Sequence, residues 1–176
     1  MLLTERLKTP SVIIPATIVT IAAMMLLPLL VHSLPVQGAP MGARLLPIFF
    51  APLVAIYLVH PAVALIASLV TPYLNHVLIG NPPQPLMLTL TSELVIFSLI
   101  CWGLKRFKLR FVAPFAYVVA KTLTLIFYKT TQLTSTAPWN NYLPSLQLAL
   151  PGLVLLLVIN LALQKVDAKT QGQLTR

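Results

Sequence analysis

Apolar residues in this chain occur in long, nearly unbroken runs, and the breaks between them are proline, glycine and charged residues. Six runs stand out, at 11–34, 44–59, 61–79, 85–104, 111–131 and 144–164. A helix needs about 20 mainly apolar residues to cross a ~30 Å hydrocarbon layer, so each run is read as a membrane-spanning helix. The second is the weakest, because it is short and because Pro47 and Pro52 remove backbone donors inside it, which predicts a broken or tilted helix. Polar stretches are confined to the two ends and to loops at 35–43 and 132–143. The expected fold class is therefore all-α: a polytopic membrane protein forming a six-transmembrane-helix bundle, with 1–176 as a single domain. The first run is expected to stay as a helix, since its apolar stretch exceeds the 7–15 residues of a secretory signal core and no convincing small-residue cleavage site follows.

Composition strengthens the membrane reading. With 58% hydrophobic residues, 9% charged residues and a mean hydropathy of +0.91, the chain has too little polar surface to coat a soluble globule. The net charge of +9 is unevenly placed. If six helices alternate, Arg6, Lys8, Lys105, Arg106, Lys108, Arg110, Lys165, Lys169 and Arg176 fall on one side and Arg44 and Lys129 near the other. The positive-inside rule makes the first side cytoplasmic, which implies a multi-pass protein of the cytoplasmic (inner) membrane with both termini cytoplasmic. Trp102 and Trp139 then fall near opposite interfaces. So distributed, the positive charge is a topogenic signal and an attraction to membrane lipid; nucleic acid is not an expected partner, because no basic soluble module is present. Cys101, the single cysteine, has no partner for an internal disulfide and is read as an apolar filler.

Glu93 is the only acidic residue between Glu5 and Asp167, and it sits in the middle of the fourth run. A carboxylate near the bilayer centre costs roughly 3 kcal/mol on insertion scales, so it is expected to face a bundle interior or cavity and to have a partner. Measured from Pro85, Glu93 lies about 12 Å below the outer boundary; measured from Phe111, Lys121 lies about 15 Å above the inner one. In a ~30 Å core these are nearly the same level. Consecutive helices joined by a short loop usually adjoin, so a Glu93–Lys121 ion pair is expected.

Other polar groups collect at or above that level. Thr89, Ser92 and Glu93 share a helix face, as do Tyr117, Lys121, Thr124 and Tyr128, and Asn75 and His76 lie about 5 Å below the outer boundary. Arg44, Lys129 and Gln132 stand at the rim, with Trp139, Asn140 and Asn141 on the neighbouring loop. The pattern describes an outward-facing pocket suited to a small, flat, polar ligand. Each residue also has a plainer reading: Glu93 and Lys121 as a structural pair, His76 as a satisfied hydrogen-bonding residue, and the Ser and Thr hydroxyls as groups bonded to the preceding turn. His32 and His60 fall at expected helix ends.

Catalysis is not expected. The chain has no H-E-x-x-H, no G-x-S-x-G and no paired internal carboxylates, and it lacks G-x-x-x-x-G-K-[ST], so ATP-driven transport would need partner subunits. No metal site or cofactor is expected.

Gly42-Ala43-Arg44-Leu45-Leu46-Pro47, the His60-Pro61 hairpin, the run from Ser68 through Thr71-Pro72 to Asn75-His76, the turn Gly80-Asn81-Pro82-Pro83, and Ser92-Glu93-Leu94 together resemble the substrate-binding S component of energy-coupling-factor (ECF) vitamin transporters. The resemblance spans 42–104, and the six-helix, termini-inside layout extends it over the chain. It implies capture of a vitamin-like small-molecule substrate near the outer surface, closed by loops between helices 1 and 2, 3 and 4, and 5 and 6. It also implies an ECF transmembrane coupling subunit carrying two ATPase subunits. Arg44, Asn75, His76 and Glu93 carry over as pocket candidates, and Lys121 and Tyr128 join them from the depth argument. The chain departs from the family at His60-Pro61 (Gly-Pro in the family), at Thr71-Pro72 (Ser-Pro) and at Ala16 and Thr20, where helix 1 carries no clean stripe of small residues for docking. A membrane scaffold of the rod-shape-determining protein D type, with similar length and helix count and no solute ligand, is the alternative.

Overall fold

The computed structural model describes residues 10–33, 41–131 and 139–174. All secondary structure among them is helical: α1 Pro10–His32, α2 Met41–Leu45, α3 Phe50–Leu58, α4 Pro61–Ile79, α5 Gln84–Lys105, α6 Val112–Thr131, α7 Trp139–Leu148 and α8 Leu150–Leu174, with a single 3-10 turn at Pro47–Phe49 before α3. Five of these, α1, α4, α5, α6 and α8, are long and apolar enough to cross a membrane. Prolines mark several helix starts. Pro61 and Pro85 stand in the first turns of α4 and α5, and Pro151 is the second residue of α8, positions where a missing N–H leaves no helical hydrogen bond unmade.

Two expected segments differ from the structure. The run at 44–59 is not one helix: Leu46 takes a left-handed conformation (φ 55°), Pro47–Phe49 form the 3-10 turn, and only nine residues, Phe50–Leu58, follow as α-helix. Pro47 is the local cause, since it cannot donate back into a continuing helix. The run at 144–164 breaks at Ala149, whose N–H is shared between Ser145 O and Leu146 O, and α8 begins only beyond it. Pro151 again withholds the donor that would have made the run continuous. The first expected loop falls largely, and the second in part, outside the described residues. Trp139 to Leu143, expected as loop, are the start of α7.

The helices pack as a bundle in which α5 lies between α4 and α6, α1 lies against α4, and α3 and α8 close the other side. Small residues allow close approach. Ala64, Ala67 and Ser68 on α4 and Ala113, Ala116 and Ala120 on α6 are fully buried at helical spacing. Ser68 and Ser98 share a hydrogen bond of 3.0 Å across the α4–α5 contact. Phe49 stands at the centre, meeting the rings of Phe97 and Tyr117 edge-on, each at 5.1 Å. Cys101 is buried in this core.

Gly152 on α8 holds α2 in place. A Cβ there would lie 2.8 Å from both Arg44 O and Leu45 C, which are backbone atoms that cannot rotate away. Gly152→Ala is therefore expected to destabilise the protein by about 1–3 kcal/mol, the usual range for overpacking. Gly103→Ala, with nothing within 4 Å of the added Cβ, is expected to be neutral or slightly stabilising. Thermal unfolding of both variants in detergent checks the pair; equal behaviour would remove the argument for Gly152.

Candidate functional site

Glu93 on α5 and Lys121 on α6 meet with Nζ 3.6 Å from Oε1. The expected pairing is present, and Glu93 is only 8% exposed. Lys121 Nζ also stands 5.9 Å from the centre of the Tyr117 ring, a cation–π distance, so the ammonium is held between a carboxylate and an aromatic face. The Ser92 hydroxyl donates to Leu88 O, which leaves its oxygen to accept from Tyr128 OH at 3.2 Å. Tyr142 of α7 makes the matching contact with Thr122, whose own hydroxyl donates to Val118 O. A band of hydroxyls and one ion pair thus joins α5, α6 and α7.

Three buried polar atoms lack a hydrogen-bond partner among the described residues: Arg44 Nε, Asn75 Oδ1 and Thr124 Oγ1. Their positions follow from contacts already described. The Ser68–Ser98 bond fixes the register of α4 against α5, and Asn75 lies seven residues beyond Ser68, which puts it opposite Thr91, about 3 Å past Glu93 on the side away from the lysine-rich end. Thr124 is three residues beyond Lys121, about 4.5 Å past the ion pair in the same direction. Arg44 belongs to α2, which packs against Gly152 of α8, eight residues or about 12 Å before the Asn160 that bonds Arg110 O, and so stands near mid-depth. Thr89, Thr91, Thr122 and Thr130 all return their hydroxyls to the preceding turn; Thr124 does not. A buried donor or acceptor left unpaired costs about 1–3 kcal/mol, so three in one small bundle, two of them just past the ion pair, require an explanation.

Of the other candidates, His76 donates Nδ1–H to Pro82 O at 2.8 Å and fastens the α4–α5 turn, where Gly80 adopts the left-handed conformation (φ 74°) that ends α4. That bond places the proton on Nδ1 and leaves Nε2 as an acceptor. His60 caps α4 by accepting from Ala62 N–H, and His32 donates to Pro28 O. Gln132 and the side chains of Trp139, Asn140 and Asn141 lie outside the described residues. Among the described residues there is no group of three or more His, Cys, Asp or Glu able to hold a metal ion.

Two polar centres at the lysine-rich end were not anticipated from sequence. Asn160, fully buried on α8, accepts from Tyr57 OH at 3.0 Å and donates to Arg110 O at 2.9 Å. Lys105 does not project into solvent with its basic neighbours. Its ammonium donates to Ile56 O and Tyr57 O at 3.2 and 3.1 Å, capping α3, and pairs with Asp167 at 3.3 Å. A lone amide in the apolar stretch of α8 was the available signal for the first; the second had none, because Lys105 lies inside a basic cluster that charge counting explains.

No protein-family model, curated protein or solved structure matches this chain.

Proposed function

We propose that this protein is the membrane-embedded substrate-binding component of an ECF-type transporter, taking a vitamin or related micronutrient from outside for uptake driven by partner ATPase subunits. In this reading the short 3-10 and α3 segment acts as the sixth membrane element. The lysine-rich end, with both termini, is cytoplasmic, and the membrane is the inner one. One observation carries the reading: Asn75 Oδ1 and Thr124 Oγ1 are buried without described partners just past a buried ion pair, and Arg44 Nε is a third such atom nearer mid-depth. They offer a donor, an acceptor and a group that can be either, which is what a small polar solute between aromatic walls needs. Capture involves no bond chemistry. Arg44 or Lys121 balances a carboxylate or phosphate on the solute, Glu93 accepts from a donor, and Tyr128 and Tyr117 cover its flat face.

The self-contained Glu93–Lys121 pair on its own suits a scaffold of the rod-shape-determining protein D type equally well. The unpaired atoms separate the two readings. In a scaffold, Asn75→Ala and Thr124→Val remove unsatisfied groups and raise stability. In a binding protein they also remove solute contacts, and each is expected to weaken binding by about tenfold. Mass spectrometry of small molecules released from the purified protein, before and after incubation with a vitamin mixture, is the test. A stoichiometric compound retained by the wild type and depleted in both variants supports the transporter; a ligand-free protein made only more stable by both substitutions sinks it.

A further inference from the structure

We infer that the lysine-rich end of the bundle carries a discrete binding site for the phosphate headgroup of an anionic phospholipid. A recess of about 750 Å³ opens there, lined by Pro61, Trp102, Lys105, Arg106, Lys108 and Asp167 among others. Three cations face one carboxylate. Lys105 and Asp167 already neutralise each other, and two α3 carbonyls fix the Lys105 ammonium as a rigid floor. Arg106 and Lys108 are the surplus charge, both exposed at the junction between α5 and α6. The surplus stands where a membrane surface meets the protein: Trp102, half-exposed on the last turn of α5, and Phe107, against whose ring Arg106 stacks at 4.8 Å, form an apolar rim suited to glycerol and upper acyl segments. Basic recesses between helices at the membrane surface are the recognised form of headgroup site, and each nearby cation strengthens attraction to anionic lipid severalfold. The site does not depend on the transport reading, being at the opposite end of the bundle from Asn75 and Thr124.

A site differs from a general positive field in where the charge must be. Native mass spectrometry of the detergent-purified chain, titrated with phosphatidylglycerol and separately with phosphatidylcholine, is expected to show a first molecule of phosphatidylglycerol bound about 10- to 30-fold more tightly than phosphatidylcholine. Arg106→Gln/Lys108→Gln should abolish that preference. Lys165→Gln/Lys169→Gln removes the same charge from exposed positions on α8 outside the lining and should leave the preference intact. Both variants are compared at matched thermal unfolding midpoints, so that loss of fold is not read as loss of site. Equal loss in the two variants, or no headgroup preference in the wild type, overturns the proposal. So does displacement of the bound lipid by millimolar inorganic phosphate, which would assign the recess to the free anion.

Discussion

Lys121→Met is expected to destabilise the protein by about 3–5 kcal/mol, because it leaves the Glu93 carboxylate buried with no cation beside it. Glu93→Gln/Lys121→Met, which removes both charges, should recover most of that loss, since a buried ion pair gains little over a neutral pair of similar volume. The exchange Glu93→Lys/Lys121→Glu should be more stable than either single reversal. Thermal unfolding in one detergent, read on the five variants and the wild type, checks the series. A double neutral variant as unstable as Lys121→Met would mean that the two side chains act separately and that their 3.6 Å approach contributes nothing. The same series bears on function, because a solute that drew charge from either group would lose affinity in the double neutral variant while stability returned.

Asn160→Leu should cost about 2 kcal/mol, and its origin differs. A single interhelical hydrogen bond in a membrane protein averages only about 0.6 kcal/mol, so lost bonding alone does not reach that figure. The larger part comes from the partners. Arg110 O, 2.9 Å from the Asn160 amide, would be left beside a leucine, and Tyr57 OH would lose its 3.0 Å acceptor and keep only Gln164. Asn160→Asp keeps the acceptor for Tyr57 but sets a buried carboxylate against Arg110 O, and should cost at least as much as leucine. If Asn160→Leu is neutral, water reaches the Tyr57 hydroxyl and the network at the lysine-rich end is not a closed one.

The two centres show what the sequence disclosed and what it withheld. The Glu93–Lys121 pair was legible because each residue is a lone charge in an apolar run, and helical rise places both at one depth. The breaks at Pro47 and Pro151 depend on proline, yet only the first was anticipated; Pro151 lies at the edge of a run whose average hydropathy conceals where the helix begins. Lys105 was hidden for another reason. Six basic residues fall at that end among the described helices and their junction, and a count of charges assigns all of them to the membrane surface, while geometry turns one inward onto the C-terminus of α3. Of the candidate site, Arg44, Asn75, His76, Glu93, Lys121 and Tyr128 were read from sequence as pocket candidates; the structure pairs Glu93 with Lys121, bonds Tyr128 to Ser92 and His76 to Pro82 O, and leaves Arg44 Nε and Asn75 Oδ1 unpaired. Which of their atoms remain unpaired is a property of packing that no residue pattern encodes.

The pairing of α5 with α6 also bears on how the chain enters its membrane. Alone, α6 is the poorest candidate for insertion, with a mean hydropathy of 1.2 against 2.4 for α1 and a lysine at mid-depth. Its counter-ion is on α5, which is synthesised first and is joined to it by only the few residues between Lys105 and Val112. Partitioning of the two as a hairpin, with Glu93 waiting in the translocon for Lys121, would spare each helix a solitary charge in lipid. A Glu93 substitution would then lower the yield of membrane-integrated protein through α6, a helix it leaves chemically unchanged.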